Sequence, residues 1–177
     1  MAILIDDFST GTDSFNVTTG SDKRTQTGNK IIGGQRQTIL IVTENPLLQS
    51  AYLDVGSGSL NLSTGVKQPH RLEIFYGKAA DPNSQMSLDL SGFDCFRFLF
   101  PSSNLPLNFN LQVFSGTNFS TAGKGEGVNL EASFNPFTHD FLLEEFAGCT
   151  WPHDMRHIWE ARSPHPSCTD KRLKLKL

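Results

Sequence analysis

Residues 35–44 read QRQTILIVTE, with Gly33-Gly34 before them and Asn45-Pro46 after them. Arg36, Thr38, Leu40 and Val42 alternate with Gln37, Ile39 and Ile41. A period of two with β-branched residues is the pattern of a strand, and apolar residues on both sides of its end predict burial on both faces. Asn-Pro closes the run.

Outward from this segment the same period recurs. SAYLDVG puts Ala51, Leu53 and Val55 on one face, GSLNLST sets Leu60 and Leu62 against Ser59, Asn61 and Ser63, and RLEIFYG sets Leu72, Ile74 and Tyr76 against Arg71, Glu73 and Phe75. Such alternation marks antiparallel sheet with one wet face. Further strands are expected at MSLDLSGF, at CFRFLF (Phe96, Phe98 and Phe100 on one face), at NFNLQVFSG, at VNLEASF and at HDFLLEEF. On the N-terminal side, AILIDDFS reads as a short strand. Thr10–Asn29 is polar, with one strand-like piece at Phe15 and Val17. Strands at roughly 8–12-residue spacing, with no helical period, predict an all-β protein: a two-sheet, jelly-roll-like β-sandwich.

The chain has 177 residues, 15 Lys+Arg and 18 Asp+Glu, for a net charge of −3. One domain with its own core is expected from that length. The balance excludes a strongly basic nucleic-acid binder. No apolar run approaches the ~20 residues of a membrane helix. Residues 1–148 hold 9 Lys+Arg and 15 Asp+Glu (net −6), whereas residues 149–177 hold 6 and 3 (net +3). Both Trp and two of the three Cys also fall after residue 148. The expected organisation is therefore a β-sandwich over 2–148 and an atypical tail over 149–177, disordered or altered in reading frame. If Leu173, Leu175 and Leu177 add a strand, an edge strand is expected, with Lys174 and Lys176 on its wet side. A sandwich lacking a strand would self-associate through its exposed sheet edge.

Taken in order, LIDDFSTG, IIGGQR, GSGSLNLSTG, HRLEIFYG, DLSGFDCFRFLF, LQVFSG and FLLEEFAG resemble a group of bacterial exported β-sandwich proteins of the PEP-CTERM type. The layout is more distantly similar to jelly-roll modules of the galactose-binding and complex-I-assembly-factor type. The likeness spans about residues 3–148. It implies a sandwich fold and an extracytoplasmic or secreted setting, the leader being absent from this chain. Met1–Asp7 carry no basic n-region, so a cytoplasmic setting stays open.

Candidate chemistry is sparse. Asp6, Asp7, Asp13 and Asp22 are calcium candidates, since that cation takes six to eight oxygens, often from loops; modules of the resembled type often carry calcium near the N-terminal strand. Cys149, His153 and His157, four apart, are zinc-type ligands, but Pro152 interrupts them and CxxC pairs are missing. Tyr52 and Tyr76 are the aromatic platforms a sugar face would use. Arg36 is expected partly buried against a carboxylate, as a structural ion pair or as a ligand contact. No nucleophile elbow exists, and the adjacent Glu144-Glu145, read as strand residues, cannot pair with each other. The expected function is an extracytoplasmic, non-catalytic module that binds a glycan or another surface component. The alternatives are a small calcium-dependent lyase or cyclase on the same fold, and a purely structural envelope protein.

Overall fold

The computed structural model describes residues 4–77, 93–115, 118–121, 127–146 and 171–176. The chain is all-β and sandwich-like, with helix confined to two short 3-10 turns among the described residues. It divides into two compact units, residues 2–86 with 174–177, and residues 87–173.

The first unit holds β1 (Asp13–Val17), β2 (Gly20–Thr27), β3 (Gln35–Val42), β4 (Ala51–Gly56), β5 (Ser59–Ser63) and β6 (His70–Gly77). They form two antiparallel sheets, one in the order β1-β4-β5 and one containing β6-β3-β2. In the second sheet, register sets Gln26, Arg36 and Tyr76 in one row, Arg24, Thr38 and Ile74 in the next, and Asp22, Leu40 and Leu72 in the third. Residues directly opposite in an antiparallel ladder share a face, so these rows are the inner face. From the first sheet, Phe15, Val17, Ala51, Leu53 and Val55 complete the core, all at most 6% exposed. The sheets also meet through polar groups. Gln26 Nε2 donates to Asp13 Oδ2 (3.2 Å), and the Arg24 guanidinium lies 5.3 Å from the centre of the Phe15 ring.

The turns follow local chemistry. Ser57 and Gly58 both take positive φ, 53° and 82°, between β4 and β5, as a two-residue hairpin with right-twisting strands requires. Gly33 and Gly34 also have positive φ (71° and 75°). A Cβ on Gly34 would meet nothing within 4 Å. The left-handed backbone, not space, calls for glycine.

Three expectations fail in this unit. The described part of AILIDDFS, from Leu4 onward, is not a strand; an isolated bridge joins Asp6 to Ile31. The carboxylates of Asp6 and Asp7 accept the backbone N–H groups of Phe8 (2.8 Å) and Ser9 (2.9 Å), and such local bonds compete with a ladder. The polar stretch 10–29 contains the whole of β2, whose inward positions are polar rather than apolar. The long strand ends at Val42 rather than Glu44.

The second unit contains β7 (Cys95–Phe100), β8 (Leu107–Ser115), β9 (Asn118–Thr121), β10 (Val128–Leu130) and β11 (Phe137–Leu142). β7 pairs with β11, placing Phe100 opposite Phe137, Phe98 opposite His139, and Phe96 opposite Phe141. β8 pairs with β10 and β9. Phe109 of β8 is the hub of the aromatic core. Its ring centre lies 4.8 Å from Phe98, 5.5 Å from Phe100 and 5.3 Å from Phe141, the first two edge-to-face, the geometry that opposes ring edges to ring faces. The opposite face carries the Arg97–Asp140 ion pair at 2.6 Å. Glu145 lies in a 3-10 turn, Leu143–Glu145, rather than in a strand, and its Oε1 accepts the N–H of Leu142 at 2.9 Å.

The expected strand at 86–93 falls outside the described residues except for Phe93, and so does the tail from 147 to 170. Residues Lys171–Lys176 are a strand, β12.

Replacing Phe109 by Ala leaves a cavity at the hub of these rings. The expected loss is about 3–5 kcal/mol, read by urea denaturation. Phe134→Ala, at a residue 82% exposed, is expected to stay within about 0.5 kcal/mol of the parent.

Candidate functional site

The calcium candidate Asp6 and the ligand candidates Arg36 and Tyr76 come together, but in the interior. Arg36 Nη1 donates to Asp6 Oδ2 at 2.6 Å, the two side chains being 0% and 2% exposed. The Tyr76 hydroxyl donates to the same oxygen at 3.1 Å. Arg36 Nη2 reaches the carbonyls of Thr10 (3.0 Å) and Gly11 (2.6 Å), and the Phe8 ring lies 5.1 Å from the guanidinium carbon. The GG-x-R strand thus clasps the DDFSTG segment. Arg36 and Tyr76 are enclosed by protein and do not face solvent, and the expected ion pair of Arg36 is present.

The remaining acids each have their own partner. Asp7 binds the Ser9 hydroxyl and N–H and pairs with Lys30 at 3.2 Å. The Ser9 bonds, with Lys30 adding to them, hold its carboxyl down at about 2, against an ordinary 3.8. That stabilisation is present above pH 3.8 and is lost as pH falls through about 2. Asp13 accepts from Gln26, and Asp22 pairs with Arg24 at 2.9 Å. Among the described residues no three His, Cys, Asp or Glu side chains group to hold a metal ion. The zinc-type residues Cys149, His153 and His157 lie outside the described residues.

Tyr52 is placed differently. It sits at the centre of the outer face of β1-β4-β5 and is 44% exposed. Register puts Asn16 and Ser63 on either side of it, and Ser14, Asp54 and Asn61 form the neighbouring row. An amphipathic ring is therefore surrounded by two amides, hydroxyls and one carboxylate on a rigid sheet. At the end of this face lies a shallow hollow of about 300 Å³, bordered by Thr12, Asp13, Ser14, Asp54, Gly56 and Ser57. None of these side chains is cationic.

The sequence already put Asn61 and Ser63 opposite the apolar positions of their strand. The contribution of Ser14 and Asn16 depends on β1 pairing with β4, across a long sequence separation that the local pattern does not report. Comparison with family models, with curated proteins and with solved structures finds no match for the chain.

Two measurements check this placement. Asp6→Asn strands a buried guanidinium and is expected to cost about 3–5 kcal/mol, whereas Asp22→Asn, at an exposed pair, is expected to cost less than about 1 kcal/mol. Burial, reinforced by the Asp6 carboxylate, holds the Tyr76 phenol well above its ordinary 10.0. The folded chain therefore keeps that proton more tightly than the unfolded chain. The resulting stability is complete below pH 10.0 and falls as pH rises beyond it. In a Tyr52→Phe variant, where Tyr76 is the sole tyrosine, phenolate absorbance at 295 nm is expected to appear only together with alkaline unfolding.

Proposed function

We propose that this chain is a non-catalytic glycan-binding β-sandwich module working outside the cytoplasm, with the outer face of β1-β4-β5 as its binding surface. The observation that carries the reading is Tyr52, an exposed ring on a central strand, flanked in register by Asn16 and Ser63 and by Ser14, Asp54 and Asn61. Sugars present C–H faces that lie flat on an aromatic ring, and hydroxyls that bond to amides and carboxylates at its margin. Polar groups fixed around an apolar platform are the usual recipe of a small-ligand surface. The carboxylate of Asp54, with no cation on the face, favours a neutral glycan over an acidic one, because like charges repel across a partly desolvated contact. The extracytoplasmic setting is supported by the resemblance to exported sandwich proteins.

The test is isothermal titration of the full chain against a panel of neutral and uronate-containing oligosaccharides. At least one neutral oligosaccharide is expected to bind. Tyr52→Ala is expected to weaken it by about tenfold or more with an unchanged melting temperature, and Asp54→Asn to weaken it less. A chain that binds no neutral glycan, or binds it equally well after Tyr52→Ala, overturns the reading.

A further inference from the structure

Strand β5 runs Ser59-Leu60-Asn61-Leu62-Ser63, a sequence that reads the same in both directions. It ends the sheet β1-β4-β5, and among the described residues no strand lies on its other side. The sheets of the first unit also end at β1 and at β2. β1 opens on Asp13, and β2 carries Asp22, Lys23 and Arg24 in succession; charges of this kind deter a further strand. β5 has no charge and no proline, and its register against β4 is unbroken.

The hairpin decides which backbone groups of β5 are left over. Ser57 and Gly58 make a two-residue turn, so Gly56 and Ser59 exchange the hydrogen bonds that close it. Bonded and non-bonded pairs alternate along an antiparallel ladder. Asp54 with Asn61 and Tyr52 with Ser63 are therefore bonded pairs, whereas Leu60 and Leu62 turn their N–H and C=O groups away from β4 to the open edge.

The side chains lead to the same place. Leu60 and Leu62 stand opposite Val55 and Leu53 on the inner face. Val55 and Leu53 are 1% and 0% exposed, yet both leucines of β5 are only half-buried. The apolar rows of the core thus end in leucines that still touch water.

A second copy of β5 satisfies this edge in every respect. Set antiparallel about a two-fold axis at Asn61, Leu60 meets the second copy's Leu62, Ser59 meets Ser63, and Asn61 meets Asn61. The leucine pairs become hydrogen-bonded pairs, so each outward N–H and C=O of both strands finds a partner, and the inner rows run on from one copy into the next. A shift by one residue would break both matches, and a shift by two would shorten the overlap. The two Asp54 carboxylates stay about 14 Å apart across the joined strands, beyond the roughly 8 Å screening length of physiological salt.

We propose that the open edge of β5 is a homodimer interface, in which two copies pair β5 with β5 and join their β1-β4-β5 sheets into one. Such a contact is isologous and closes on itself. It covers less surface than a standard interface, so the dimer is weak and reversible. The two Tyr52 rings come to lie on one continuous face, about 20 Å apart. Pairing is read by mass alone and is independent of what that face binds.

The experiment is sedimentation velocity of the full chain from about 10 μM to about 1 mM. The parent is expected to shift from monomer toward dimer mass. Asn61 is exposed in the single chain, so Asn61→Lys and Asn61→Glu are expected to melt close to the parent at low concentration. Each variant alone sets like charges across the axis and is expected to raise the dimer Kd by about fivefold or more. An equimolar mixture of the two sets Lys against Glu and is expected to associate about fivefold or more tightly than either alone. A parent chain that stays monomeric throughout overturns the proposal. So does an Asn61→Lys chain that dimerises like the parent, because the contact then lies elsewhere. A mixture that associates no better than its components overturns it too, since residue 61 then does not face its own copy.

Discussion

One buried ion pair, Arg36 with Asp6, organises the first unit. A guanidinium taken wholly out of water depends on the protein for what hydration gave it, and here its two Nη groups bond a carboxylate and two backbone carbonyls beside the face of a phenyl ring, while Nε has no partner. Such a pair is not a large net source of stability, because desolvation consumes most of the attraction; removing either partner is what costs. Its effect is positional. Gly11 is held through its carbonyl, and β1 begins at Asp13, so the clasp fixes where β1 starts and which of its residues face outward. Ser14 and Asn16 stand beside Tyr52 for that reason. The polar face on the outside of the sandwich inherits its geometry from a charge on the inside.

The same pair gives physical content to the two motifs that stand out near the N-terminus. DDFSTG and GG-x-R are separated in sequence and look like independent turns. In the fold they are acceptor and donor. The glycines let the chain turn through left-handed backbone, the strand that follows carries the arginine inward, and the aspartate arrives from an irregular segment tied by its own side-chain bonds. Neither half is explained by local propensity, because each exists to satisfy the other.

Much of the fold was legible from alternation alone. β3 to β6, β7 and β8 are close to where their apolar residues recur at period two, and Phe96, Phe98 and Phe100 do share a face. What stayed hidden follows one rule: the period was carried by residues other than apolar ones. β2 carries Gln26, Arg24 and Asp22 on its core side, of which only Gln26 is buried, so the strand reads as a polar loop. The segment before Phe8 is apolar enough for a strand, but Asp6 and Asp7 spend their carboxylates on nearby amides. For the candidate site, the sequence singled out Tyr52 together with Arg36 and Tyr76 because all three are residue types that bind ligands. Burial separates them: a tyrosine in the row of Leu53 and Val55 would have been core, and one position of register puts Tyr52 in water.

The clasp also has a consequence for the order in which the chain is made. Its acid is residue 6, its arginine lies 30 residues later and its tyrosine 70 residues later. A ribosome adding roughly 5–20 residues per second releases the aspartate several seconds before Tyr76 exists. During that interval the first segment has no partner that can take it out of water, and the polar Asx turns of DDFSTG keep it soluble while it waits. The DDFSTG segment, made before both of its partners, is therefore among the last parts of its unit to be locked.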